Sequence, residues 1–186
     1  MKETMDTERE NQIIATVSYI HQLTGFREPP FSFKHFFDNF PGYQVIAASL
    51  PRGYDGEFLR RGCEKIIRYR AESHDFTSRF TIAHEIAHSF LHHQEDYCCR
   101  VNRSFRIYAA VKKSPKEAEA NFFALELLAP LPMLERLVPA LENLGESEFN
   151  ELGAQFGPVF GLNSLTMKAR LKDLSIYRRW DEGEWL

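Results

Sequence analysis

The chain is poor in cysteine. Three Cys stand at 63, 98 and 99 among 186 residues, an odd number with two adjacent and no Cys-x-x-Cys pair. That excludes a disulfide framework and argues against a thiolate zinc site, and it suits a reducing compartment. The first residues, MKETMDTEREN, are charged and carry no apolar core of a secretory signal. No stretch approaches the ~20 apolar residues that span a bilayer. A cytoplasmic location with no membrane association is therefore expected. One-sided charge is also missing: 23 basic and 26 acidic side chains leave a net charge of −3, so there is no general attraction to phosphate backbones or anionic lipid.

What is present is enough for one globular domain with a small appended lobe. Sixteen Phe predict an aromatic-rich core. Ile13, Ile14, Val17, Ile20 and Leu23 recur at helical spacing, predicting a helix over 7–24 closed by Gly25. Pro29 and Pro30 predict an extended link, and 33–39 a short aromatic helix. YQVIAASL (43–50) and EKIIRYRA (64–71) read as strands around the turn PRGYDG. Residues 76–92 are helical, and 103–111 read as a further strand or a loop. Ser114-Pro115-Lys116-Glu117 is a helix-start signature for a helix to about Leu128, where Pro130 and Pro132 intervene. Residues 132–144 read as a helix ending near Gly145. Two shorter helices, 147–156 and 163–174, flank the turn FGPVFGLN. The expected fold class is α+β, a short sheet packed on the 76–92 helix and a helical C-terminal lobe. The division is 1–30 as an N-terminal helical extension, 31–145 as the core and 146–186 as the lobe.

The chemistry concentrates at His84-Glu85-Ile86-Ala87-His88. Four residues turn a helix by about 400°, so both imidazoles leave one face about 6 Å apart and can meet one zinc ion. Glu85, about 100° away, can stand beside the metal as a general base without ligating it. Two solvated His on a surface helix are the bland alternative. The apolar flank of Phe80, Ile82, Ala83, Ile86, Ala87, Phe90 and Leu91 speaks against it, because His and Glu in a buried helix need partners. A catalytic zinc takes a third protein ligand, and the 115–128 helix offers Glu117 and Glu119. About 200° apart, only one can face the site. Glu117 shares a stripe with Asn121, Ala124 and Leu128. Glu119 shares one with Phe123 and Glu126, which reads as the outer side. Glu117 is favoured, although a capping-box role would also account for it, and Glu119 stays the alternative.

RFTIAHEIAHSFLH (79–92) followed by EAEANFFALELLAP (117–130) resembles the ImmA/IrrE family of zinc metallopeptidases, through Glu117, Ala120, Asn121, Phe123, Ala124, Leu127, Leu128 and Pro130 of the second motif. The resemblance runs over roughly 35–175 and is weak outside the motifs. It implies a zincin-like fold, Zn2+ held by His84, His88 and Glu117, and Glu85 as general base. It also implies a protein substrate, a helix-turn-helix transcriptional repressor whose cleavage relieves repression. Two departures are visible: Ala87 replaces a Gly common before the second His, and nothing corresponds to the sensory domain of some relatives.

Lesser signals remain. His92 continues the His84/His88 stripe, but four-residue steps drift around the helix, so it reads as structural. His74 and Cys98-Cys99 lie near the motif without a clear role. Tyr69, Tyr97 and Tyr108 are candidates to stabilise an oxyanion. The strand at 64–71 is a candidate to pair with an extended substrate. Residues 148–174 resemble a helix-turn-helix with Lys168, Arg170 and Lys172 available to phosphates. The neutral overall charge favours a capping role for this pair over DNA binding. A rival overall reading is a non-proteolytic regulator that binds a repressor or DNA and holds a structural zinc. Glu85 argues against it, because a structural site has no use for a base.

Overall fold

The computed structural model describes residues 5–92, 115–138, 141 and 144–181, with only the backbone for 176–181. The expected strand or loop at 103–111, Tyr97, Tyr108, Cys98, Cys99 and the capping Ser114 lie outside the described residues. The architecture is α+β: seven described helices and a three-stranded mixed sheet.

Helix α1 (Thr7–Thr24) starts on Asp6, whose carboxylate accepts from the Glu8 N–H. It ends at Gly25, whose φ of 67° lets the chain turn out of the helix. The 3.6-residue pattern read from the sequence is the buried face: Ile13, Val17 and Ile20 are inside, Ile14 and Leu23 partly out. The Pro29–Pro30 link bends through a cis peptide bond instead of running extended. Helix α2 (Phe33–Asn39) is capped by Ser32. Phe31 and Phe36 anchor a chain of ring contacts that reaches Phe40, Tyr43 and Phe90. Each fully buried Phe contributes up to about 3 kcal/mol, which explains the high Phe count.

Strands β1 (Tyr43–Ala48), β2 (Gly56–Arg61) and β3 (Glu64–Arg70) form a sheet in the order β1-β3-β2. The sequence reading missed β2. With Phe58 as its core-facing anchor and Arg60 and Arg61 at its end, it lacks the apolar alternation that marks a strand, as short charged edge strands do. Its hairpin with β3 pairs Arg61 with Glu64 across Gly62-Cys63, and Gly62 has a φ of 61°, as a two-residue turn of this kind requires. This topology corrects the expectation for 64–71. Strand β3 is central, hydrogen-bonded to β1 on one side and β2 on the other, so it has no edge to offer a substrate.

Helix α3 (Asp75–Leu91) lies under β2 and β3, and α4 (Pro115–Leu128) packs against its other side, with α1 against α4. Ile13, Val17 and Ile20 of α1 join one hydrophobic cluster with Ala83, Ile86, Ala120, Phe123 and Ala124. Helix α5 (Leu131–Leu137) is shorter than the sequence suggested. Val138 is extended because it precedes Pro139, and a residue before proline avoids the helical region. Helix α6 (Glu146–Phe160) conversely runs through Pro158 to Gly161, whose φ is 67°. Proline in a last turn removes a single intrahelical bond, and the Leu162 N–H bond to the Gly157 carbonyl closes the end. Gly153 and Gly157 let α6 approach the start of α7 (Ser164–Asp181): a Cβ at Gly157 would stand 2.8 Å from the Leu162 carbonyl oxygen.

The cations among the described side chains of α7 are paired within the molecule. Lys168 and Lys172 both bond Glu146. Arg170 is buried, pairs with Glu126 of α4 and donates to the Ala129 carbonyl at 2.9 Å. No helix among the described residues is long and apolar enough to cross a membrane. Arg170→Ala strands the buried Glu126 carboxylate and is expected to cost about 3–5 kcal/mol, read from urea unfolding.

Candidate metal centre

The α3–α4 contact brings three of the predicted residues together. Nε2 of His84 and Nε2 of His88 are 3.1 Å apart, and each is 3.4 Å from an oxygen of Glu117. Both His are buried and the Glu117 side chain is 24% exposed, so the cluster has one open side. Four tetrahedral ligands at about 2.0–2.1 Å from a zinc ion stand about 3.3–3.4 Å from one another. The three donors already have that spacing, and this cluster is a group that can hold a metal ion.

The hydrogen bonds behind the rings set the same orientation. His84 Nδ1 lies 3.0 Å from Asn121 Oδ1, so the ring donates there and keeps its lone pair on Nε2. His88 Nδ1 lies 2.9 Å from His92 Nδ1. Two lone pairs aimed at each other across 3.1 Å repel, and a cation between them removes the conflict. Burial lowers the His88 pKa to about 4 against the opposing pull of Glu117, with the neighbouring His84 adding to the lowering, so His88 is neutral at physiological pH, as a ligand must be. Burial works to raise the Glu117 pKa, but the facing His84 and His88 rings outweigh it and hold the carboxyl well below its ordinary range. A neutral imidazole pair and a carboxylate are a donor set suited to zinc.

Glu119 stands elsewhere. Its Oε2 bonds Arg9 at 2.6 Å and His92 at 3.1 Å, and it is not in the cluster. The Glu119 stripe is not the outer side that the sequence suggests: Phe123 and Glu126 are buried. Helix α4 is covered by α3, α1 and Arg170 together, so it shows almost no polar face. His74 caps the start of α3, accepting from the Phe76 N–H at 3.3 Å. Ten residues of helix put it about 15 Å from His84.

Glu85 is buried on the β2 side of α3. Strand β2 begins there at Gly56, where a Cβ would meet the Glu85 Oε1 at 2.7 Å and also the Thr81 methyl. The sheet register pairs Gly56 with Tyr69 of β3, on the face whose Phe58 and Ile67 enter the core. Gly56 is the residue the sequence reading passed over as part of a turn. The only signal was a Gly at the start of an unrecognised strand.

A short mixed sheet over an H-E-x-x-H helix, with a glutamate from the next described helix beside both His, defines a small zincin-like metallopeptidase domain. The IrrE N-terminal-like domain, Peptidase_M78, matches residues 41–171, more than half of the chain, and the chain belongs to that family. The match includes α3 and α4 entire. A search of curated proteins finds no match. Gly56→Ala is expected to press Thr81 and Glu85 out of place and to destabilise the fold by about 1–3 kcal/mol, measured by chemical denaturation.

Proposed function

We propose that this protein is a zinc-dependent endopeptidase of the cytoplasm, and that its substrate is a helix-turn-helix transcriptional repressor. The observation that carries the peptidase reading is the spacing of His84, His88 and Glu117 on the same helix pair that bears Glu85. Family membership supports it; the repressor rests on the motif resemblance. Zinc held by these three residues would supply Lewis acidity toward a peptide carbonyl and acidify a water molecule.

The chain's own residues divide the remaining work. Glu85 takes the proton of the attacking water and returns it to the leaving amine, one carboxylate serving as base and then acid. Among the described residues β2 is an edge strand, and it starts against Glu85 at Gly56. An extended substrate segment adding to β2 would bring a scissile peptide past that carboxylate, with main-chain hydrogen bonds setting its register. Glycine at 56 keeps that approach open. Tyr69, beside Gly56 in the register, is the candidate among the described residues to donate to an oxyanion.

Glu85→Gln is expected to retain zinc and lower the cleavage rate by about 10²–10⁴-fold. The assay incubates purified protein with the repressor encoded beside its gene, with and without a chelator. Cleavage at the wild-type rate by Glu85→Gln, or in the chelated protein, overturns the assignment. Tyr69→Phe is expected to lower kcat by about 10²-fold with little change in KM, and equal kcat removes Tyr69 from the mechanism.

A further inference from the structure

Behind His88 a chain of polar contacts leaves the donor cluster and ends in the N-terminal helix. His88 Nδ1 is 2.9 Å from His92 Nδ1, and His92 Nε2 is 3.1 Å from Glu119 Oε2. The same oxygen accepts from the Arg9 guanidinium of α1 at 2.6 Å. The proton positions follow from the last carboxylate. Ionised Glu119 can only accept, so His92 donates to it through Nε2. A neutral His92 then has its lone pair on Nδ1 and accepts there from His88 Nδ1–H. That leaves the lone pair of His88 on Nε2, which faces His84 and Glu117.

The relay is enclosed. His88 and His92 are buried, and the Glu119 side chain is 16% exposed. Removing a member takes away a contact that orients the next ring, and a ligand held less often in the metal-binding tautomer binds its metal more weakly. His84 is fixed differently, by the single Asn121 contact within the α3–α4 pair. The two ligating rings therefore have separate supports, and the His88 support depends on a residue that precedes the family match at 41–171.

We infer that His92 and Glu119 are positioning residues that set the tautomer and ring plane of His88, and that Arg9 extends this support into α1, so that metal affinity depends on the docking of the N-terminal helix. The inference rests on the metal reading above and adds to it a second layer of residues. Hydrogen-bond partners of metal-ligating histidines are worth about 10–100-fold in metal affinity.

The test measures the zinc dissociation constant of the full chain by competition with a chromophoric chelator, and the visible absorption of the Co2+-loaded protein. Glu119→Ala and His92→Ala are each expected to weaken zinc binding about 10–100-fold and to alter the Co2+ spectrum. Because the two act in series, the double variant should lose no more than the worse single one. Glu119→Gln keeps an oxygen that accepts from His92 and should stay close to wild type, while Arg9→Ala should fall between wild type and Glu119→Ala. If His92→Ala does not fold, the comparison of Glu119→Ala with Glu119→Gln decides alone. Wild-type affinity in Glu119→Ala, or losses that multiply in the double variant, overturn the relay. Failure of the underlying metal reading looks different: the wild-type chain would bind no zinc, or His84→Ala would bind it as tightly as wild type.

Discussion

Two imidazole nitrogens and a carboxylate oxygen stand 3.1–3.4 Å apart where α3 crosses α4, and much of the architecture serves to keep them there. Three polar groups at that spacing are costly to bury unless a cation or a set of hydrogen bonds compensates them. The cost is met by holding both helices rigidly. Ala83, Ala87, Ala120 and Ala124 are fully buried, and small side chains at such positions let two helices approach closely. The sheet covers one side of α3 through Phe58 and Ile67, and α1 covers α4 through Ile13, Val17 and Ile20.

The surrounding elements act as braces on that pair. Arg79, one helical turn before the metal face, donates to the Phe31 carbonyl at 2.6 Å, and its guanidinium lies over the Phe33 ring. It also fills the space where a side chain at Gly161 would stand. The start of α3 is thereby tied both to the aromatic segment before α2 and to the α6–α7 turn. Arg170 ties α7 to the far end of α4 through Glu126 and the Ala129 carbonyl. The C-terminal helix pair looks like a helix-turn-helix in sequence, but Lys168 and Lys172 pair at the surface with Glu146 of α6, and Arg170 is buried against Glu126 of α4. In this fold Lys168 and Lys172 tie α7 to α6 within the pair, and Arg170 attaches the pair to α4.

Local rules carried far along this chain. The bounds of α1, α2 and α4 coincide with the sequence reading, because Asp6, Gly25, Ser32 and Pro115 act within a residue or two of themselves. Where the reading slipped, the missing term was non-local or outweighed. Strand β2 has too little apolar alternation to declare itself and exists because β3 supplies its hydrogen bonds. Helix α6 passes Pro158 because its packing on α7 outweighs one lost bond. Pro139, which ends α5 early, was legible but was overshadowed by the pattern around it.

The sequence by itself determined which side chains stand as candidate donors. A spacing of four on a helix puts His84 and His88 on one face whatever else the chain does, with Glu85 on the neighbouring face, since helical geometry is local. It also gave two glutamates for a third place. Only the tertiary structure shows which of them meets the two His, and not by the polarity of their stripes. Glu117 meets the two His because α3 and α4 cross at that turn. Glu119, half a turn away, meets Arg9 and His92 because α1 and the end of α3 close over it. Helix periodicity fixes the angle between two side chains, while the neighbour each one finds depends on how whole helices pack, a sum over contacts distant in sequence.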